Sequence, residues 1–251
     1  MIISVANQKG GVGKTTTAIN LAAALAHKGI KTLLVDMDPQ ANATISFLRP
    51  EDGYRNIFEA LSPHGCPLSE VIRPTETKNL ELVPASIALA KLETTLAGEL
   101  EAHFCFKDSL NRVLDRYEYV VIDTPPTLGI LTVNSMVAST HVLVPIQSSY
   151  FALEGTDDLV DTIDKIKKRV NPGLQILGVL ITIYDGRTIL SRDIHQQITK
   201  AFGSKIFKTI IHKNVRLEEA PAYKEDIFSF APNSRGALEY YQLTEEVLSR
   251  V

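Results

Sequence analysis

One short stretch constrains the fold of this chain more than any other: Gln8-Lys9-Gly10-Gly11-Val12-Gly13-Lys14-Thr15-Thr16-Thr17. An apolar run, Ile2 to Ala6, leads into it, and a helical pattern, Ala18 to Leu25, leads out. A strand, a Gly-rich turn and a helix in that order describe a phosphate-binding loop. The glycines let the backbone approach a phosphate and turn its N–H groups inward. The helix N-terminus behind them adds roughly half a positive charge. In such a loop Lys14 reaches the β- and γ-phosphates and the Thr15 hydroxyl binds Mg²⁺. The nucleotide contacts are therefore expected from Gly10, Gly11, Val12, Gly13, Lys14, Thr15 and Thr16. A turn that merely joins strand to helix would need neither the lysines nor the run of hydroxyls.

Tyr119-Val120-Val121-Ile122-Asp123-Thr124-Pro125-Pro126 is the second strong signal. An apolar strand ending in an aspartate has the form of a Walker B strand, whose carboxylate holds Mg²⁺ through a water. Many buried strands end in Asp, so the pattern gains weight only from the loop upstream. A third strand, Lys31 to Asp36, ends in Met37-Asp38-Pro39-Gln40-Ala41-Asn42. Ligands of open α/β sheets bind at the carboxyl ends of strands. Asp36 and Asp38 are thus well placed, Asp36 for the waters of a metal ion. A turn aspartate before proline is the plainer use of Asp38.

The remainder reads as alternating helices and strands. Gly29 is a C-cap for the first helix. Ile57 to Leu61 is a short helix, and Leu80 to Pro84 a short strand. Residues 86–116 carry helical spacing, with Leu89, Leu92, Leu96 and Leu100 on one side and Phe106, Leu110, Val113 and Leu114 later. Further helices are expected over Leu131–Ser139, Leu153–Val170, 189–202 and Gly236–Arg250. Strands are expected over His141–Ile146, Leu174–Tyr184, Lys205–Phe207 and Thr209–Ile211. No linker, low-complexity run or repeat interrupts residues 1–251. The expected fold is a single doubly wound α/β domain, a mostly parallel twisted sheet with helices on both faces.

Charge bounds the partners. The 26 basic and 29 acidic residues leave a net charge of −3, so any nucleic-acid surface must be a local patch. From Ile194 to Leu217 no residue is acidic, and the window holds Lys200, Lys205, Lys208, Lys213 and Arg216. That is either a solvated face or a basic patch for DNA. Cys66 and Cys105 show no metal-ligand spacing and no disulfide framework, which fits a reducing cytoplasm. No signal sequence precedes the first strand, and no apolar run approaches about 18 residues. A cytosolic protein without a membrane partner is expected.

The loop departs from G-x-x-x-x-G-K-[ST] in having Gln8 at the first glycine and Lys9 before the glycines. It resembles the deviant Walker A motif of the ParA/MinD class of P-loop ATPases. The likeness extends along the chain to a ParA/Soj partition ATPase. It rests on Asn7-Gln8-Lys9, Asp36 to Gln40, Ala152-Leu153-Glu154-Gly155, Tyr184-Asp185-Gly186-Arg187-Thr188 and Asn214 to Pro221. One small departure is that Asn42 follows Ala41, where the family often has glycine.

The resemblance implies ATP and Mg²⁺ as cofactors and an ATP-sandwich homodimer in which Lys9 reaches the partner's nucleotide. It implies that Asp38 orients the attacking water near the metal, so that Lys9, Lys14 and Asp38 are catalytic and Thr15, Asp38 and Asp123 surround Mg²⁺. It places Pro221 near the adenine. It also implies non-specific binding to duplex DNA in the nucleoid, with Arg187 and Arg216 as contacts, to which the basic run adds Lys200 and Lys213, and a ParB-type partner that stimulates slow hydrolysis. The alternative within this class is a positioner of a protein cargo, such as a carboxysome or chemoreceptor array. A MinD-like membrane ATPase is disfavoured, because Glu239, Glu245 and Glu246 in the last helix would be repelled by anionic lipid. A nitrogenase-reductase-like donor would need an interface cysteine where Pro125 and Pro126 stand.

Overall fold

The strands that end in Asp36 and Asp123 lie side by side, and this places the rest. The structure, a computed structural model, describes residues 1–49, 53–63, 65–96, 101–149 and 155–251. In chain order the elements are β1 (Ile2–Val5), α1 (Lys14–His27), β2 (Thr32–Asp36), α2 (Asn42–Ile45), α3 (Ile57–Leu61), β3 (Arg73–Pro74), β4 (Leu80–Val83), α4 (Ala90–Thr95), α5 (Cys105–Asn111) and β5 (Tyr119–Asp123). There follow α6 (Ile130–Ala138), β6 (His141–Gln147), α7 (Thr156–Arg169), β7 (Gln175–Tyr184), α8 (Ile189–Phe202), β8 (Ile206–His212), α9 (Val215–Glu219), α10 (Ile227–Phe230) and α11 (Arg235–Ser249). They build one eight-stranded sheet in the order β3-β4-β2-β5-β1-β6-β7-β8. Among the described residues only the β3–β4 pair is antiparallel.

The chain leaves β1 in one direction, toward β2, and leaves β5 in the other, toward β6. That reversal opens a crevice at the carboxyl ends of the central strands. Register makes those ends level: Val5 and Asp36 both stand opposite Asp123.

Central strands of a parallel sheet are covered on both faces, so they read as continuous apolar runs. On one face α1 and α11 pack Leu21, Leu25, Tyr240, Leu243 and Val247 against Ile3 and Val5. On the other, Phe106 and Leu131 cover Val120 and Ile122, and Leu159, Ile163, Ile194 and Ile198 cover Val144 and Ile181. Each such buried side chain contributes roughly 1.5–3 kcal/mol. Helix α1 is buried almost throughout because α11 covers the side that the sheet does not. Its run of alanines allows that close fit.

The helical spacing over 86–116 is divided between α4 and α5, and Leu100 lies outside the described residues. Leu89, Leu92, Leu96, Phe106, Leu110 and Val113 are buried. The segments expected at Lys205–Phe207 and Thr209–Ile211 merge into one strand, β8, which begins at Ile206; Lys205 closes the turn before it. The described part of the helix expected from Leu153 begins at Thr156. Both β3 and α10 are too short to leave a periodic signal. Helix α10 is set by its cap, since Asp226 Oδ1 accepts the Phe228 and Ser229 amides at 2.8 and 3.0 Å.

Candidate nucleotide site

The loop after β1 is held from three sides. Asn7 is buried; its Nδ2 donates to Pro145 O at 2.7 Å and its Oδ1 accepts the Lys9 amide at 3.0 Å. Thr182, at the end of β7, donates its hydroxyl to Val12 O at 2.8 Å. Gly11 and Gly13 have φ of 73° and 81°, the left-handed region that glycine enters at no steric cost. Gly13 is the N-cap of α1, so the turn ends with the amides of the first helical turn facing the crevice.

Lys14 is the first residue of α1 and is buried. Its ammonium folds back over the loop and donates to Lys9 O at 2.7 Å. Burial lowers its pKa, while Asp123 and Asp38 pull it up. Asp123 is fully buried. Among the described residues its two carboxylate oxygens are the buried side-chain atoms with no hydrogen-bond partner. Burial raises its pKa well above the carboxylate range, and Asp36 and Asp38 add to that. The Thr15 hydroxyl and the Lys14 ammonium oppose it.

Asp36 is equally buried but well bonded. Its Oδ2 accepts the Thr44 amide at 2.8 Å and the Thr44 hydroxyl at 2.7 Å, and its Oδ1 accepts the Asp38 amide at 3.1 Å. Burial still pushes its pKa up to about 6. Those bonds tie the strand end to α2, so Asp36 is committed to structure. Asp38 is almost buried and accepts the Gln40 amide at 2.9 Å.

Two unpartnered oxygens beside a hydroxyl suit Mg²⁺. The ion is held by one or two side chains plus phosphates and waters, not by a cage of protein ligands. Consistently, no group of three or more His, Cys, Asp or Glu side chains among the described residues could hold a metal alone. Thr15 and Asp123 are the residues that fit it.

Beyond the loop opens a cavity of about 480 Å³. Gly13, Thr15, Thr16, Ile183, Lys213 and Pro221 are among its walls. Pro221 therefore lies on the same cavity as the loop. Asn20 was missed by sequence reasoning. Its Nδ2 donates to Thr16 O at 2.8 Å and its Oδ1 accepts the Ile227 amide at 3.0 Å, so from the cavity wall it joins the loop helix to the start of α10. A lone amide in the Ala18–Leu25 run was the available signal. Thr182, in a distant strand, left none.

The basic residues do not form one patch. Helix α8 carries the chain from the carboxyl end of β7 to the amino end of β8. Lys200 lies about 18 Å along it from Thr188, at ~1.5 Å per residue. Lys200, Lys205 and Lys208 therefore sit toward the amino ends of the strands. Arg187, Lys213 and Arg216 sit at the carboxyl ends, near the nucleotide cavity, and Lys213 lines it. Arg187 and Arg216 are exposed and ion-paired, Arg187 to Asp185 at 2.7 Å and Arg216 to Glu219 at 2.8 Å. Of the segment Ala152–Gly155, only Gly155 is among the described residues; it packs against the Gln8 amide.

A phosphate loop with a lysine on each side of its glycines, on a parallel sheet with an aspartate ending the neighbouring strand, defines a P-loop nucleoside triphosphatase of the deviant Walker A class. A family model described as an AAA domain matches residues 1–176. The chain is 42% identical over 247 residues to the sporulation initiation inhibitor protein Soj of Bacillus subtilis, covering 98% of this chain and 97% of that one. It is 44% identical over 250 residues to the chromosome-partitioning ATPase Soj of Thermus thermophilus, covering 99% and 96%. A crystal structure of cobyrinic acid a,c-diamide synthase from Mycobacterium smegmatis, with a bound ATP analogue and magnesium, matches with a TM-score of 0.86 at 32% identity, over 98% of this chain and 93% of that one. The chain belongs to the Soj/ParA family of partition ATPases. Among the described residues no helix is long and apolar enough to cross a membrane.

Proposed function

We propose that residues 1–251 act as one unit that binds ATP and Mg²⁺ in this crevice and hydrolyses ATP slowly. In its ATP form two copies close face to face and bind duplex DNA without sequence preference in the nucleoid. A ParB-type partner stimulates hydrolysis and resets the cycle. The observation that carries the nucleotide part is Asp123: a buried carboxylate with two unpartnered oxygens, directly behind the loop, is a costly feature that a cation would relieve.

Phosphoryl transfer to water needs positioning and charge stabilisation above all. The loop amides and the α1 N-terminus cradle the phosphates. Lys14, released from the Lys9 carbonyl, meets the β- and γ-oxygens. Thr15 and Asp123 would hold Mg²⁺, with Asp38 beside it, and the ion would neutralise charge on those oxygens. Asp38 orients the attacking water. Lys9 contacts the nucleotide of the second copy, so hydrolysis waits on pairing. Arg187 and Arg216 flank the cavity and exchange their carboxylate partners for DNA phosphates.

The test is duplex binding by fluorescence anisotropy with random sequences, with ATP or ADP, beside elution volume on size exclusion. Earlier elution and tighter DNA binding with ATP are expected. Lys14→Ala should weaken ATP binding at least tenfold by calorimetry, since a hydrogen bond to a charged group contributes ~1.5–3 kcal/mol. Binding to DNA that ignores the nucleotide would leave a switch acting on protein partners instead.

A further inference from the structure

The phosphate loop and the exposed basic residues at the carboxyl ends of the strands are joined by one short, strained stretch, Thr182 to Arg187. Thr182 is buried. Its hydroxyl donates to Val12 O at 2.8 Å, and its carbonyl accepts the Ser148 amide at 3.2 Å. A Cβ placed on Gly13 would stand 3.8 Å from the Thr182 Cβ, so the strand end rests on the loop itself. Two residues on, Tyr184 O accepts the Lys213 amide at 3.1 Å, and the Tyr184 ring packs edge-on against His212 at 5.2 Å. Asp185 then grips Arg187 through two bonds of 2.8 and 2.7 Å. The chain thus runs from the loop carbonyl to Lys213 and Arg187 without a gap.

Between Thr182 and Tyr184 stands Ile183, with φ of 51°. A β-branched residue in the left-handed region is a genuine outlier and is disfavoured there by a factor of roughly ten. The fold holds it there only because both neighbours are anchored. Among the described residues the other non-glycine residues at positive φ are Ala41, Asn79 and Lys224. Asn tolerates that region. Ala41 immediately precedes Asn42 on the wall of the nucleotide cavity, and Lys224 and Ile183 are themselves on that wall. Among the described residues, apart from Asn79, this backbone strain is therefore gathered around one cavity, as strain at working sites usually is.

We propose that Thr182–Ile183 is a mechanical joint: the Thr182 hydroxyl senses the position of the loop, and the locked turn at Ile183 carries it to Lys213 and Arg187. Three other elements face the joint. The first is the end of β6, with Ser148 one residue beyond it, the second α8, whose Ser191 carbonyl accepts the Ser148 hydroxyl at 3.1 Å, and the third β8 with His212. The inference rests on the reading that ATP controls DNA binding, and it says which residues transmit that control.

Hydrogen exchange followed by mass spectrometry tests it without DNA. In wild type, saturating Mg²⁺–ATP should change protection of the peptides holding Tyr184 and Lys213 relative to ADP. Thr182→Val keeps the shape and removes the hydroxyl, and should reduce that difference at least fivefold. Ile183→Gly frees the turn and should do the same, while Ile183→Val should retain it. Saturating nucleotide keeps changes in affinity out of the comparison, and two independent variants guard against one that folds poorly. A wild-type difference that survives both Thr182→Val and Ile183→Gly overturns the joint, as does no wild-type difference at all. Loss of ATP-dependent DNA binding with the exchange pattern as expected would overturn the DNA reading and leave the joint standing.

Discussion

Asp123→Asn is expected to make the protein more stable in the absence of nucleotide and to abolish the stability that Mg²⁺ and ATP add. The wild-type carboxylate is fully buried with neither oxygen bonded. Burial is the main cause of its raised pKa, repulsion from Asp36 across the register the second, and the attraction of Lys14 the weakest. Leaving a buried acceptor unsatisfied costs ~1–3 kcal/mol, more when charged. An amide carries neither the buried charge nor the proton uptake that avoids it, though it still lacks partners, so a gain of about 1.5 kcal/mol is expected. In a chain of this length that is a melting point roughly 3–6 °C higher.

The sign depends on pH. The folded carboxyl titrates above the unfolded value of 3.8, so the folded state keeps a proton that the unfolded chain releases. Wild-type stability therefore falls as pH rises from that value toward the raised value of the folded carboxyl. The advantage of Asn is present at pH 7 and disappears below about pH 4. Ligand at a hundredfold excess over its Kd adds about 2.7 kcal/mol to wild type. The order of the two proteins should then reverse. Thermal melts at pH 7, with EDTA and with Mg²⁺–ATP, measure both effects. An Asn variant that melts below wild type in EDTA, or that keeps the full ligand shift, refutes the argument that this carboxylate is a destabilising group held for a cation.

Asp38→Ala should abolish phosphate release while ATP still drives earlier elution on size exclusion; a variant that stays monomeric with ATP would give Asp38 a role in binding or closure. Lys9→Ala should bind ATP nearly as wild type yet neither pair nor hydrolyse, and an affinity loss equal to that of Lys14→Ala would make Lys9 an ordinary loop residue. Arg216→Ala should leave the melting point within roughly 0.5 kcal/mol equivalents, because its ion pair with Glu219 is exposed. It should flatten the logarithmic salt slope of DNA binding by about 1.8 per dimer, at ~0.9 per phosphate contact. A full slope in the variant would remove Arg216 from the DNA surface.

The loop was legible because its chemistry is contiguous. A phosphate is read by successive backbone amides, so Gly10 to Thr16 announce themselves by spacing alone. The buried strands β1, β2 and β5 were legible for a related reason: covered on both faces, they need unbroken apolar runs, and the aspartates that end them fall where the sheet meets its crevice. Helices α3 and α8 were legible as helices, and the structure adds their caps, Asn56 and Thr188, whose side chains bond the Phe58 and Ser191 amides.

What spacing cannot encode is which strands become neighbours. Strand order is decided by crossovers that bury apolar helix faces, and it brings Asp36 opposite Asp123 and Thr182 onto a carbonyl 170 residues earlier in the chain. The lack of partners at Asp123 is a property of everything around it, so no local pattern could show it. The basic run from Ile194 to Leu217 was misleading for the same reason. Consecutive charges looked like one surface, but α8 and β8 run in opposite directions across the sheet, and their ends lie on opposite sides of the molecule. Sequence alone determined the phosphate loop and the class of sheet that carries it, because both depend on residues adjacent in the chain. Tertiary structure alone decided which carboxylate is left bare, what braces the loop and which cations stand beside the cavity, because those depend on packing between strands far apart in the chain.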